Sequence, residues 1–108
     1  MPKARCAQHA VRLTDIPNVG AATAADLCRI GITTPADVRS MQPQVAYEQL
    51  CRATGQRHDP CVLDVFMAAH HFMNGGAAQP WWVFTPKRKA LLAQTRHAMH
   101  PAMVNPRG

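Results

Sequence analysis

The sequence predicts an all-α fold, a compact bundle of five or six short helices. Three observations carry that prediction. Prolines stand where the first turns of helices would begin, glycines stand where helices would stop, and apolar residues recur with a helical rather than an alternating period. A chain of 108 residues accommodates one modest hydrophobic core. A single domain is therefore expected over residues 12–98, flanked by a flexible basic N-terminus (1–11) and a flexible tail (99–108). Aromatic residues make up only 6%, so the core must be assembled mainly from Ala, Val, Leu, Ile and Met.

The first ordered stretch, residues 13–32, reads as a short apolar-spaced turn ending at Ile16, a tight hairpin at 17–20, and a helix over 21–30 stopped by Gly31. Further on, Thr34-Pro35, Gln42-Pro43, Asp59-Pro60 and Thr85-Pro86 each place Pro at a first helical position, where its missing N–H would be unpaired anyway and its φ is already helical. Thr34, Asp59 and Thr85 are in addition good N-caps, with a side-chain oxygen that can accept an orphan backbone N–H. The helices so predicted run over 36–40, 44–54, 61–73 and 87–98, with stops at Gly55 and at the Gly75-Gly76 pair. Within 61–73, Val62, Val65, Phe66, Ala69, Phe72 and Met73 form a broad apolar stripe, which marks the central core helix. Val45, Tyr47 and Leu50 on the preceding helix, with Leu27 and Ile30 further back, supply apolar faces to meet it. The run Trp81-Trp82-Val83-Phe84 is the nearest approach to a strand. It reads as an aromatic clasp laid on the core, with core packing favoured over base stacking for the Trp pair.

Twelve Lys and Arg against six Asp and Glu give a formal charge of +6, and the pI is near 9.8, which suits an anionic partner such as nucleic acid. All six acids lie at or before Asp64, whereas the rest of the chain carries Lys87, Arg88, Lys89, Arg96 and Arg107. A smaller cluster, Lys3, Arg5 and Arg12, opens the sequence. No stretch approaches the roughly 18 apolar residues of a membrane span, and the basic start lacks the apolar run of a secretory signal. The expected setting is cytoplasmic with no membrane partner, and Cys6, Cys28, Cys51 and Cys61 are expected as reduced thiols.

The stretch with functional content is the hairpin. Pro17 forbids continuation of the preceding turn, Asn18 tolerates a left-handed φ, and Gly20 lets the backbone approach another surface closely. The helix that follows offers the N–H groups of Val19, Gly20, Ala21 and Ala22 at its positive dipole end, and small side chains keep bulk away. Such a site fits a phosphate oxygen held by main chain, with no base identity read. Arg12, Arg29, Lys87, Arg88 and Lys89 are the expected counter-charges, alongside Pro17 and Asn18 at the hairpin tip.

Ile16, Pro17, Val19, Gly20, Ala24 and Leu27 resemble, position by position, the helix-hairpin-helix family of DNA-binding motifs, whose hairpin reads apolar, Pro, Gly, Ile or Val, Gly before a helix with a buried Ala and Leu. Asn18 departs from the Gly commonest there and puts a side chain at the tip. Over residues 12–89, the wording LTDIPNVGAATAADL, GITTPADVR, YEQLCRATGQRHDPCVLDVFMAAHHFMNGG and PWWVFTPKRK resembles the small bacterial proteins of the pathogenicity-locus (Cdd-type) family, also called mitomycin resistance proteins. The resemblance implies a helix-hairpin-helix, sterile-alpha-motif-like (SAM-like) fold and a link to DNA repair or DNA damage.

Other constellations carry less. His58 and Cys61 are the weak candidates for a metal, but no second half-site follows at ligand spacing, so no metal and no cofactor is expected. Cys61 near His58 and Asp64 holds the inventory for thiol catalysis without a matching local signature, and the scattered carboxylates offer no acid–base pair, so no enzyme activity is expected. Two functions follow: a sequence-independent DNA-binding module, in which one hairpin binds weakly without a homodimer or protein partner, or a protein-interaction module that binds no nucleic acid.

Overall fold

The computed structural model describes the backbone of residues 3–104 and side chains through residue 94. Five α-helices follow one another in the order α1 (Ala21–Arg29), α2 (Pro35–Ser40), α3 (Pro43–Thr54), α4 (Cys61–Met73) and α5 (Thr85–Val104), with short 3-10 turns at Ala7–His9, Leu13–Asp15 and Trp81–Phe84. Among the described residues there is no strand. The fold is an all-α globule, as the punctuation by Pro and Gly implied. Pro35 and Pro43 open α2 and α3, and the left-handed residues Gly31 and Gly55 follow the ends of α1 and α3.

α4 is the axis of the molecule and packs against α2, α3, the Trp81–Phe84 turn and α5. Its burial goes well beyond the predicted stripe. Leu63, Asp64, Met67 and Ala68 are buried along with Phe66, Ala69, Phe72 and Met73, whereas Val62 and Val65 are only half-buried. A helix surrounded on several sides has no single polar face, so a one-stripe reading understates it. On α3 the buried residues are Ala46, Tyr47 and Leu50, and Val45 turns outward, because it lies some 200° around the helix from Tyr47. Ile16, Val19, Leu27 and Val38 complete the core with no exposed surface.

Four expectations about local structure change. Residues 3–10, expected within a flexible arm, are tied to the body. The Ala4 N–H donates to the Asp15 carbonyl at 2.8 Å, and Ala4, Ala7 and Ala10 pack on the core. Thr85 is not an N-cap. It has helical φ and ψ, because the Trp81–Phe84 turn runs directly into α5, and its hydroxyl donates instead to Asp64 Oδ2 at 2.6 Å. Trp82 is 60% exposed and Val83 48%, so the aromatic run is only partly a core element. Residues i and i+3 eclipse in a 3-10 turn, which puts the half-buried Trp81 and Phe84 on the inner side and Trp82 outside. Of the expected tail, residues 99–104 continue the backbone of α5, and 105–108 lie outside the described residues.

Candidate nucleic-acid interface

The hairpin joins the Leu13–Asp15 turn to α1. Ile16 and Val19, both fully buried, anchor its two sides, and the Val19 N–H donates to the Ile16 carbonyl at 3.0 Å to close it. Between them Asn18 takes the left-handed φ of 73°, the only positive φ at a described non-glycine residue. Its side chain does not stand at the tip as the sequence implied. The Asn18 Nδ2 donates to the Gln79 carbonyl at 2.7 Å and ties the hairpin to the segment that precedes Trp81.

α1 begins at Gly20, an N-cap with φ −93° and ψ −173° and no side chain to accept a hydrogen bond. Among the described residues no acceptor is paired with the N–H groups of Gly20, Ala21 or Ala22, and all three residues are exposed. Val19 drops out of the expected donor set, because its amide is spent within the hairpin. Lys3, noted in the sequence only as part of a basic cluster, reaches this region: its Nζ donates to the Thr14 and Val19 carbonyls, each at 2.6 Å. Eleven and sixteen residues separate these partners, and no local sequence signal links them.

The expected counter-charges divide. Arg12 and Arg29 remain 62% and 63% exposed and face Asp15 at 3.4 Å and Asp26 at 3.8 Å. Such exposed pairs are worth about 0–1 kcal/mol, little enough to exchange for a phosphate. Arg88 is different. Its Nε lies 2.8 Å from Asp64 Oδ1 and its side chain is 11% exposed against a carboxylate with no exposure at all. That guanidinium is committed to the interior, where the Asp64 hydrogen bond raises its pKa further. It does not serve as an external counter-charge. Lys87 and Lys89 are exposed, but α5 packs on α4 and the Trp81–Phe84 turn, and Lys87 opens on a separate groove beside His70, His71 and Phe84.

His58 and Cys61 are engaged locally. His58 Nε2 lies 2.8 Å from Thr54 Oγ1, its N–H donates to Cys51 Sγ at 3.4 Å, and its carbonyl accepts the Tyr47 hydroxyl. The Cys61 N–H donates to Asp59 Oδ1 at 2.8 Å. The same Asp59, then burial, pushes the Cys61 thiol above its usual range, the opposite of the shift that makes a thiolate nucleophile. Among the described residues no three His, Cys, Asp or Glu side chains gather as a metal site. Nor, among those residues, is any helix long and apolar enough to cross a membrane.

Comparison with known proteins covers the same ground. The family model described as Pathogenicity locus matches residues 6–90, a span that takes in the hairpin, all of α1 to α4 and the Asp64–Arg88 pair. The chain is 47% identical over 85 residues to a protein of Streptomyces lavendulae named mitomycin resistance protein McrB, a match that covers 79% of this chain and 81% of the relative. No solved structure matches. With most of its length aligned to both the family model and this relative, the chain belongs to the Pathogenicity locus family.

Proposed function

We propose that this protein is a sequence-independent DNA-binding module that grips a backbone phosphate on a helix-hairpin-helix, with the amides of Gly20, Ala21 and Ala22 as donors, Lys3 as the positive charge beside them, and Arg12 and Arg29 as exposed cations for flanking phosphates. The observation that carries the reading is the bareness of Gly20. Its φ is open to any residue, and an added Cβ would meet nothing within 4 Å. The other described glycines answer to the chain itself: Gly31, Gly55 and Gly75 have positive φ, and a Cβ on Gly76 would strike the His71 ring. Nothing packed against position 20 asks for glycine, which leaves room for a surface to come up close to the backbone from outside. The relative named for mitomycin resistance is in keeping with a role in DNA repair or damage resistance.

A few phosphate contacts give weak, salt-sensitive affinity, with Kd of about 10⁻⁴ to 10⁻⁶ M at physiological salt. The test is a salt titration of binding to random-sequence duplex, wild type against Gly20→Asp. We expect a steep fall of affinity with salt for the wild type and no measurable binding for the variant, whose carboxylate both repels phosphate and occupies the amides. A second reading, docking of a protein partner in the manner of SAM-like domains, draws on the exposed apolar pair Trp82 and Val83. Wild type that fails to bind DNA even at low salt would favour it.

A further inference from the structure

The two ties that hold the hairpin also frame an unassigned cleft. On one side Lys3 is fastened to the Thr14 and Val19 carbonyls, and the chain runs on through Arg5 to Ala10. On the other, Asn18 is fastened to Gln79, two residues beyond the 75–77 turn. Between these segments, and lined also by Arg39 of α2, lies a cleft of about 1060 Å³. No Asp or Glu lines it. Arg12, Arg29 and Arg88 each face a carboxylate, whereas among the described residues neither Arg5 nor Arg39 has one. Two arginines lining one acid-free cleft favour an anion there, and their planar forks match phosphate oxygens.

Resting on the DNA-binding reading above, we propose that this cleft takes a single nucleic-acid strand leaving the hairpin, with Arg5 and Arg39 on its phosphates. Continuity argues for the occupant. Arg5 is two residues from Lys3, whose ammonium reaches the Val19 carbonyl next to Gly20, so one N-terminal segment joins the hairpin to the cleft. Size argues for one strand. The volume of about 1060 Å³ lies just above the range of ligand pockets, roughly 300–1,000 Å³, room for a short stretch of flexible strand. Ala7, Ala36 and Met73 give the walls apolar surface for sugars or bases, and Gln8 and Asn74 give them polar groups.

The test measures fluorescence anisotropy with two labelled DNAs, a blunt duplex and the same duplex carrying a single-stranded tail, against the full chain. The variants are Arg5→Ala with Arg39→Ala, the charge-matched control Arg52→Ala with Arg57→Ala, and Gly20→Asp, each checked for folding by circular dichroism. The wild type should bind the tailed duplex at least several-fold more tightly than the blunt one. The Arg5/Arg39 variant should lose that preference and lower the salt slope on tailed DNA by about 1.4, at roughly 0.7 per single-strand phosphate, while the control keeps both. Absence of any wild-type binding overturns the hairpin reading and this proposal together. Binding that Gly20→Asp abolishes but that is unchanged in the Arg5/Arg39 variant overturns this proposal alone. So does an equal loss on blunt and tailed DNA, because the cleft would then follow the duplex.

Discussion

The starts of α1 and α2 lie fourteen residues apart and are built on opposite plans. At α2 the chain satisfies its own amides. Thr34 Oγ1 accepts the Asp37 N–H at 3.2 Å, and Asp37 Oδ2 reaches back to the N–H groups of Thr33 and Thr34 at 3.0 and 3.2 Å. Those bonds, that from Thr33 foremost, hold the Asp37 carboxyl below its usual range. Asp15 does the same for Val11 and Arg12, and Asp59 for Cys61. At α1 there is only Gly20, and the first amides point to solvent. Three acids spent on caps elsewhere show that this chain readily closes such sites. The α1 start, like that of α3, carries no carboxylate of its own, a condition that the phosphate site proposed above requires.

The start of α5 carries self-satisfaction furthest and gives the largest expected effect. Thr85 Oγ1 and Arg88 Nε both donate to the fully buried Asp64, so the carboxylate fixes the first turn of α5 on α4. Asp64→Ala strands a guanidinium that is almost out of solvent, and the expected loss is about 3–5 kcal/mol in urea unfolding, with α5 released from α4. A loss below about 1 kcal/mol, the value of an exposed pair, would show that the interior does not depend on this closure. The next effect is smaller. Thr34→Ala removes one half of the reciprocal cap and should cost about 1 kcal/mol while leaving the salt dependence of DNA binding untouched. A changed salt slope in this variant would break the distinction between a structural helix start and a binding one.

What was legible in the sequence follows the same division between local and distant partners. The bounds of α4 and the left-handed Asn18 could be read because Pro, Gly and Asn act on their own φ, with no reference to the rest of the fold. The hairpin was legible for that reason. Arg88 was misjudged because its partner lies 24 residues upstream, and a Lys-Arg-Lys run looks uniformly solvated until one member finds a buried carboxylate. Lys3 and Asn18 reach partners 16 and 61 residues away. Periodicity ranks faces by polarity, but it does not say which polar group another element presents to them. The cleft of Arg5 and Arg39 belongs to the same class, since its walls come from the N-terminus, α2 and the loop after α4.

The smallest effect is the most discriminating. Gly20 sits in extended backbone with open space around it, the geometry of an N-cap that lacks only its oxygen. In Gly20→Asp the new carboxylate can accept the N–H of Ala22 or Thr23, and its charge lies at the favourable end of the helix dipole. The variant should therefore be more stable than the wild type, by about 0.3 kcal/mol, or a Tm rise of roughly 1–2 °C. Loss of DNA binding by a protein that has become slightly more stable cannot be laid to damage of the fold. Were the same substitution to lower Tm, the amides of α1 would already have a partner within the chain, and the contrast with α2 would lose its meaning.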